Sequence, residues 1–197
     1  MFLIPNNTAY LRLLLWIIIF ITYSPNLIAQ DSLKYDVLNN QGQFSAVVVV
    51  PHTSKETLFK RSKEWVYKTY VSGNAVIDIA DPETSKISAN GITGKLVYKN
   101  SFVKVDAGHF TYALTIYTKD GKAKIVFGSI IHKGGEMLQM KDGSNYSEDF
   151  PSAWGSFGKS QSKKQWALMK EQADKEFLSI FISFKGYLQE QDQNAEF

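Results

Sequence analysis

Two histidines and one aspartate are the first residues of this sequence whose types and spacing could carry out chemistry. Asp120-Gly121 joins two segments of alternating apolar and polar residues, and this dipeptide is a strong signal for a tight β-hairpin turn. In a hairpin without a bulge, His109 lies directly opposite His132, with the two Cβ atoms about 4.5–5.5 Å apart. With Asp106 nearby, the pair would offer the nitrogen and oxygen ligands that zinc and similar ions accept. In the alternative interpretation, both histidines are simply exposed strand residues.

A second candidate site is a long segment that carries several aromatic residues. Residues 143–162 are rich in glycine and serine, lack periodicity, and contain Tyr146, Phe150, Trp154 and Phe157. Loops of this length in a compact domain are often functional, and these side chains could hold an apolar or sugar ligand or a partner protein. Alternatively, they fold back and cover an edge of the sheet.

Tyr117 is the remaining candidate ligand contact. The unbulged hairpin places it opposite Lys124, on the face that also carries both histidines, while the other face is apolar.

Several common catalytic patterns are absent from the sequence. The Gly-x-Ser-x-Gly motif of serine hydrolases does not occur, and Gly134-Gly135 is not followed by the helix that a phosphate-binding loop needs. Because the chain has no cysteine, thiol catalysis, cysteine-bound zinc and lipid attachment at an N-terminal cysteine are excluded. We therefore assign no catalytic residue and no cofactor. A hydrolase that uses His109, His132 and Asp106 is the open alternative.

The first 29 residues predict the location of the protein. Arg12 precedes an apolar run at 13–21, and Pro25 and Ala29 follow it, which is the order of segments in a secretory signal peptide. The run is too short for a membrane span, which needs roughly 20 apolar residues. We expect cleavage after Ala29 and a protein in the periplasm or outside the cell, with no membrane span after cleavage.

The remaining chain is nearly neutral. Loss of Arg12 leaves 21 basic against 19 acidic residues, a net charge of +2. Nucleic-acid binding proteins normally concentrate basic residues on one face, whereas the lysines here alternate with acidic residues along the chain. We therefore expect no nucleic-acid partner.

The elements that must position these residues follow from hydrophobic periodicity. Residues 43–50 end in four valines and predict a buried strand. Thr53 and Glu56 form a capping box that starts a helix. Strands are predicted at 75–80, 86–98 and on both sides of Asp120-Gly121. A second helix is predicted to start at Ser162, with an apolar stripe of Trp166, Met169, Ala173, Phe177, Ile180, Phe181, Phe184 and Leu188.

This order predicts an α+β domain. Two helices with one apolar stripe each can cover the same face of a curved antiparallel sheet, in the order β-α-β-β-β-β-α, and leave the other face open. We assign residues 30–188 to this single domain and residues 189–197 to a flexible tail.

The segment from Gln43 to His132 resembles a known family. The resemblance lies in the run 54–65, in Val76-Ile77-Asp78-Ile79, and in the run 112–122 around the hairpin turn. The family consists of exported bacterial proteins, mostly from Bacteroidetes, that carry a domain of unknown function with a TATA-binding-protein-like fold. The resemblance implies that fold and export, and it brings no catalytic residues. Kinship of fold with a transcription factor does not imply DNA binding.

From these observations we predict an exported cell-envelope protein without catalytic activity. It would bind an unknown partner protein or small ligand through the open face of its sheet or through residues 143–162.

Overall fold

The computed structural model describes residues 33–38, 41–70, 77–99, 104–134, 143–149 and 159–193, all within the compact unit Ser32–Phe197. One antiparallel sheet contains six strands in the spatial order β1-β2-β8-β7-β4-β3. Their ranges are β1 Lys34–Leu38, β2 Gln41–Val49, β3 Ile77–Asp81, β4 Lys86–Ile92, β7 His109–Lys119 and β8 Lys122–Lys133. A second, two-stranded sheet pairs β5 (Val97–Lys99) with β6 (Lys104–Asp106). The helices are α1 (Lys55–Tyr70) and α2 (Lys159–Gln193).

Both helices pack on the same face of the six-stranded sheet. In α1, the Trp65 ring lies 4.9 Å from the Phe184 ring of α2, and its Nε1 donates to Ser183 Oγ at 3.2 Å. In α2, the Phe177 ring lies 5.1 Å from Phe127 of β8. The predicted α+β class, with two helices on one face of an antiparallel sheet, is therefore confirmed.

Phe177 lies at the centre of the core. It is fully buried, and its ring centroid is 5.0 Å from that of Phe44 and 5.2 Å from that of Tyr112. These two contacts, with Phe127, connect α2 to three adjacent strands of the sheet. Aromatic pairs in tilted or edge-on geometry add to the stabilisation from buried area alone.

The start of α1 differs by one residue from the predicted capping box. The backbone N–H of Thr57 donates to Ser54 Oγ at 3.2 Å, so Ser54 rather than Thr53 is the N-cap. Thr53 is buried instead, and its carbonyl accepts the N–H of Gly121. The N–H of Lys55 donates to Asp120 Oδ1 at 2.8 Å, which fixes the hairpin turn against the helix start. Contacts distant in sequence thus determine which residue caps the helix.

Two predicted strands were wrong in part. The segment 86–98 divides, because β4 ends at Ile92 and Val97 begins β5 in the other sheet. In β2 only alternate valines are buried, since Val47 and Val49 are 41% and 45% exposed. The run of valines therefore belongs to a strand with one open face. Strand β1 was not predicted.

The second helix is longer than predicted at both ends. It begins at Lys159 rather than Ser162, within the segment assigned to a loop, and it continues to Gln193 within the predicted tail. Lysine, glutamine and glutamate have favourable helix propensities, so the helix extends past its apolar stripe. Neither helix in the described ranges has the length and apolar composition required to cross a bilayer.

Candidate functional site

The face of the six-stranded sheet that no helix covers is called the open face here. Successive side chains of a strand point to opposite faces of the sheet. The residues that alternate with the buried core residues therefore lie on this face. In one row Val47 lies opposite Lys124, and Lys124 lies opposite Tyr117. In the next row Val49 lies opposite Lys122.

A cavity of about 410 Å³ lies on the open face near the hairpin turn. It is lined by Val47, Tyr117, Lys119, Lys122 and Lys124. Tyr117 is 43% exposed, so its ring is available to a ligand. This size is within the range of small-molecule sites, about 300–1,000 Å³. Of the two predicted ligand contacts within the described residues, Tyr117 is the one that lies at this cavity.

Lys124 was correctly placed opposite Tyr117 from the sequence, but neither it nor Val47, Lys119 and Lys122 was predicted as a ligand contact. The signal was present in the alternation of β2 and β8, which separates Val47, Lys122 and Lys124 from the buried positions. Interpreting the valine run as wholly buried concealed it.

The predicted pairing of His109 with His132 is wrong. A register shift between Thr111 and Ala113 places His132 opposite Phe110, and His109 opposite Lys133. Ser129 has a positive φ of 49° at this point, as expected where a β-bulge inserts an extra residue. An odd shift moves the following side chains to the other face, so His132 points into the core.

His132 is a structural residue. It is fully buried, and its ring lies 5.5 Å from Phe110 and 5.8 Å from Trp166. Its Nε2 lies 2.7 Å from the carbonyl oxygen of Ala107. Because a carbonyl only accepts, Nε2 carries the proton. No cluster of three or more His, Cys, Asp or Glu side chains suited to a metal occurs within the described ranges, so the proposed metal set of His109, His132 and Asp106 is not assembled.

Asp106 and His109 do meet at a second cavity, of about 420 Å³, which Lys95 also lines. Asp106 Oδ2 accepts from Lys95 Nζ at 2.7 Å, and its Oδ1 accepts the N–H of Gly108 at 2.9 Å. The hydrogen bond from Lys95 lowers the pKa of Asp106, and the Gly108 N–H and nearby His109 add to the effect. Asp106 is therefore held as an ion-paired carboxylate, which disfavours a role as a general acid.

Glu176 of α2 binds the backbone of Gly94, which follows β4 and lines this second cavity. Both of its carboxylate oxygens accept the N–H of Gly94 at 2.8 Å. Burial raises the pKa of Glu176, against the opposing effect of that hydrogen bond. The folded protein therefore binds this proton more tightly than the unfolded chain does.

We expect the contribution of Glu176 to the free energy of unfolding to fall as pH rises from its ordinary pKa of 4.5 through the raised folded value. Glu176→Gln should weaken this fall, as measured by urea unfolding across that pH range at constant ionic strength.

Glu171 of the same helix provides a control, because its pKa is shifted in the opposite direction to that of Glu176. Lys175, four residues later, donates to it at 2.7 Å and lowers its pKa, so its contribution is lost as pH falls. Unfolding curves of Glu176→Gln that run parallel to wild type at every pH would contradict the assignment.

The predicted aromatic loop is only partly described. Tyr146 is buried and packs edge-on against Phe44 and Phe110, with ring centroids 5.6 and 5.2 Å away. Its hydroxyl donates to Asp174 Oδ1. Tyr146 therefore completes the core, which is the alternative that the sequence left open for this segment. Phe150, Trp154 and Phe157 lie outside the described residues.

Part of this chain is similar to a family of known proteins. Residues 44–133 match the profile of DUF4468, a domain of unknown function with TBP-like fold. A solved DUF4468 family protein from Bacteroides ovatus is 14% identical, with a TM-score of 0.54 over 76% of this chain and 90% of that one. A solved TBP-like protein from Parabacteroides distasonis is 15% identical, with a TM-score of 0.54 over 76% and 96%. At these identities the likeness concerns the fold alone. A search among curated proteins finds no match.

Proposed function

We propose, from the match of residues 44–133 to the model of the DUF4468 family with TBP-like fold, that this chain is an exported, non-catalytic envelope protein. It binds a partner protein or a small ligand through the open face of its sheet. The observation that carries the proposal is the exposure of Val47, Val49 and Tyr117 beside three lysines on that face.

The exposed apolar residues on this face form a group rather than isolated cases. Val47, Val49 and Tyr117 are each more than 40% exposed and lie in two adjacent rows of the sheet. Single exposed apolar residues are normal, whereas a group of them can mark a surface that binds a ligand or partner; here the Lys124 side chain lies between Val47 and Tyr117. No carboxylate, histidine or serine lies among the residues that line the cavity, so no general base accompanies its lysines and tyrosine, which favours binding over catalysis.

The binding part of the proposal predicts that cross-linking occurs from the open face of the sheet and not from the outer side of α1. A photoreactive phenylalanine at Tyr117 should capture a discrete product in intact cells. The same group at Tyr67 should not, since Tyr67 lies on α1, away from the sheet. Tyr67 is a matched control because its exposure is 47% against 43% for Tyr117. The products are compared by gel shift and mass spectrometry.

Equal products from Tyr67 and Tyr117, or no product from any open-face position including Val47, would contradict binding through this face.

Export is supported by the order of charged, apolar and small residues in the first 29 positions. Fractionation of cells that express the full chain, with mass determination of its N-terminus, tests it. A processed protein beginning at Gln30 outside the cytoplasm is the expected result, and an unprocessed cytoplasmic product is the contrary one.

The alternative of an envelope hydrolase now depends on His109 and Asp106 alone. Both line the second cavity, which is the observation in its favour. Hydrolysis of ester or glycoside substrates that is abolished by His109→Ala would support this alternative over a purely binding role.

A further inference from the structure

The cavity on the open face combines a positive rim with an apolar floor. Lys119 and Lys122 lie directly opposite each other on the two sides of the hairpin turn, and Lys124 lies between Val47 and Tyr117 in the adjacent row. All three lysines are exposed. Their aliphatic stems border the cavity, while their ammonium groups remain in water.

Among the residues that the structure describes, no carboxylate pairs with the lysines of this rim, and Asp120, in the turn between Lys119 and Lys122, accepts the N–H of Lys55 instead. No acidic side chain of the described ranges lines the cavity. Like charges directly opposite on neighbouring strands destabilise a sheet. An anion bound between Lys119 and Lys122 would remove that repulsion.

The apolar residues of the cavity favour an anion that carries an apolar group. Val47 and Tyr117 present exposed apolar surface between the lysines. Burial of such surface stabilises a complex by about 25 cal/mol per Å². An inorganic anion would leave this surface in contact with water, whereas a neutral apolar ligand would leave the charges unmatched.

We propose that this cavity binds a small amphipathic anion, namely a single aliphatic chain that ends in a carboxylate or a phosphate. The anionic group lies between Lys119, Lys122 and Lys124, and the chain covers Val47 and Tyr117. This inference rests on the proposed binding function of the open face and specifies the class of ligand.

Nucleic acid fits the face less well. Duplex recognition depends on a continuous basic surface that neutralises many phosphates. Here Asp36 lies on the open face, and Asp81 lies opposite Lys86 next to Tyr117. The lysines of the rim are confined to one end of the sheet.

The test is a titration of protein purified from cells that express the full chain. Dodecanoate and dodecyl phosphate, each below its micellar concentration, are followed by calorimetry and by the NMR signals of the Val47 methyl groups. Dodecyl maltoside supplies the same chain without charge, and inorganic phosphate supplies the charge without a chain. We expect saturable binding of the two anionic amphiphiles only, and their relative affinities distinguish a carboxylate from a phosphate ligand.

The variant Lys122→Gln/Lys124→Gln should weaken this binding about tenfold at low salt, since it removes two ion pairs with the anion and each exposed pair contributes up to about fivefold. Lys163→Gln/Lys164→Gln is the matched control, because it removes the same charge from two exposed lysines at the start of α2. It should leave the affinity unchanged. Thermal unfolding verifies that both variants are folded.

Three results would overturn the inference: equal binding of dodecyl maltoside, equal loss of affinity in both double variants, or no binding of either anion. Salt-dependent binding of a DNA duplex that is lost in Lys122→Gln/Lys124→Gln would replace it with a nucleic-acid role. If neither amphiphile binds but position 117 still cross-links a product, the ligand class is wrong and the proposed function stands. If cross-linking fails as well, both are wrong.

Discussion

Phe177→Ala is expected to lower the free energy of unfolding by about 3–5 kcal/mol. The side chain is fully buried, and its ring contacts Phe44, Tyr112 and Phe127 on three adjacent strands. Truncation therefore removes these three aromatic contacts between α2 and the sheet and leaves a cavity that the surrounding structure fills only in part. Since a domain is stable by only about 5–15 kcal/mol, this loss is a large part of the total.

Chemical denaturation at neutral pH measures the effect, with Leu178→Ala as its control. Leu178 is the next residue of α2 but is 45% exposed, so its truncation should change stability by no more than about 0.5 kcal/mol. Phe177→Leu retains an apolar group at the same position and should cost less than Phe177→Ala. If Phe177→Ala is no more destabilising than Leu178→Ala, then α2 does not cover the sheet as described.

The helices were predictable because burial leaves a periodic trace in the sequence. Trp166, Met169, Ala173, Phe177 and Phe181 are all buried in α2, as their spacing indicated. Such a stripe requires one apolar surface to cover, which predicts the packing of both helices on one side of the sheet. The ends of α2 left no comparable trace, because they extend beyond the apolar stripe and depend on helix propensity, which is a weak signal.

The metal site could not be predicted correctly because register is not a local property. A single extra residue near Ser129 moves His132 from the open face to the core. Gly128, directly before Ser129, is the one local signal, because a glycine inside a strand often marks a bulge, but it does not show which way the following residues turn. The buried ring of His132 is stabilised by Trp166 of α2, which is distant in sequence, so tertiary packing supports the bulge.

Tyr146 shows the same limit for the aromatic segment. A non-periodic segment rich in glycine and serine indicates a loop, and its aromatic residues could equally bind a ligand or complete the core. The structure decides for the core at Tyr146, which fits between Tyr35, Phe44 and Phe110. The open-face cavity, in contrast, follows from strand alternation alone once the hairpin register near the turn is known.

Gly91→Ala is the second large expected effect, a loss of about 1–3 kcal/mol or more. Gly91 of β4 lies directly opposite Tyr112 of β7. A Cβ atom at position 91 would be 2.5 Å from the Tyr112 ring, so the ring would have to move. It has little freedom to do so, because it is buried, its hydroxyl shares a 3.1 Å hydrogen bond with that of Tyr70, and it packs against Phe177.

Gly128→Ala separates this clash from the general effect of adding a methyl group to a strand. Gly128 of β8 has no atom within 4 Å of an added Cβ, so its replacement should be neutral or stabilise the fold by about 0.4–1 kcal/mol. A double-mutant cycle then isolates the contact, because Tyr112→Leu removes the ring that the new methyl group meets. Gly91→Ala should cost markedly less in that background. An equal cost in both backgrounds would mean that glycine is needed at position 91 for its backbone and not for the space that Tyr112 occupies.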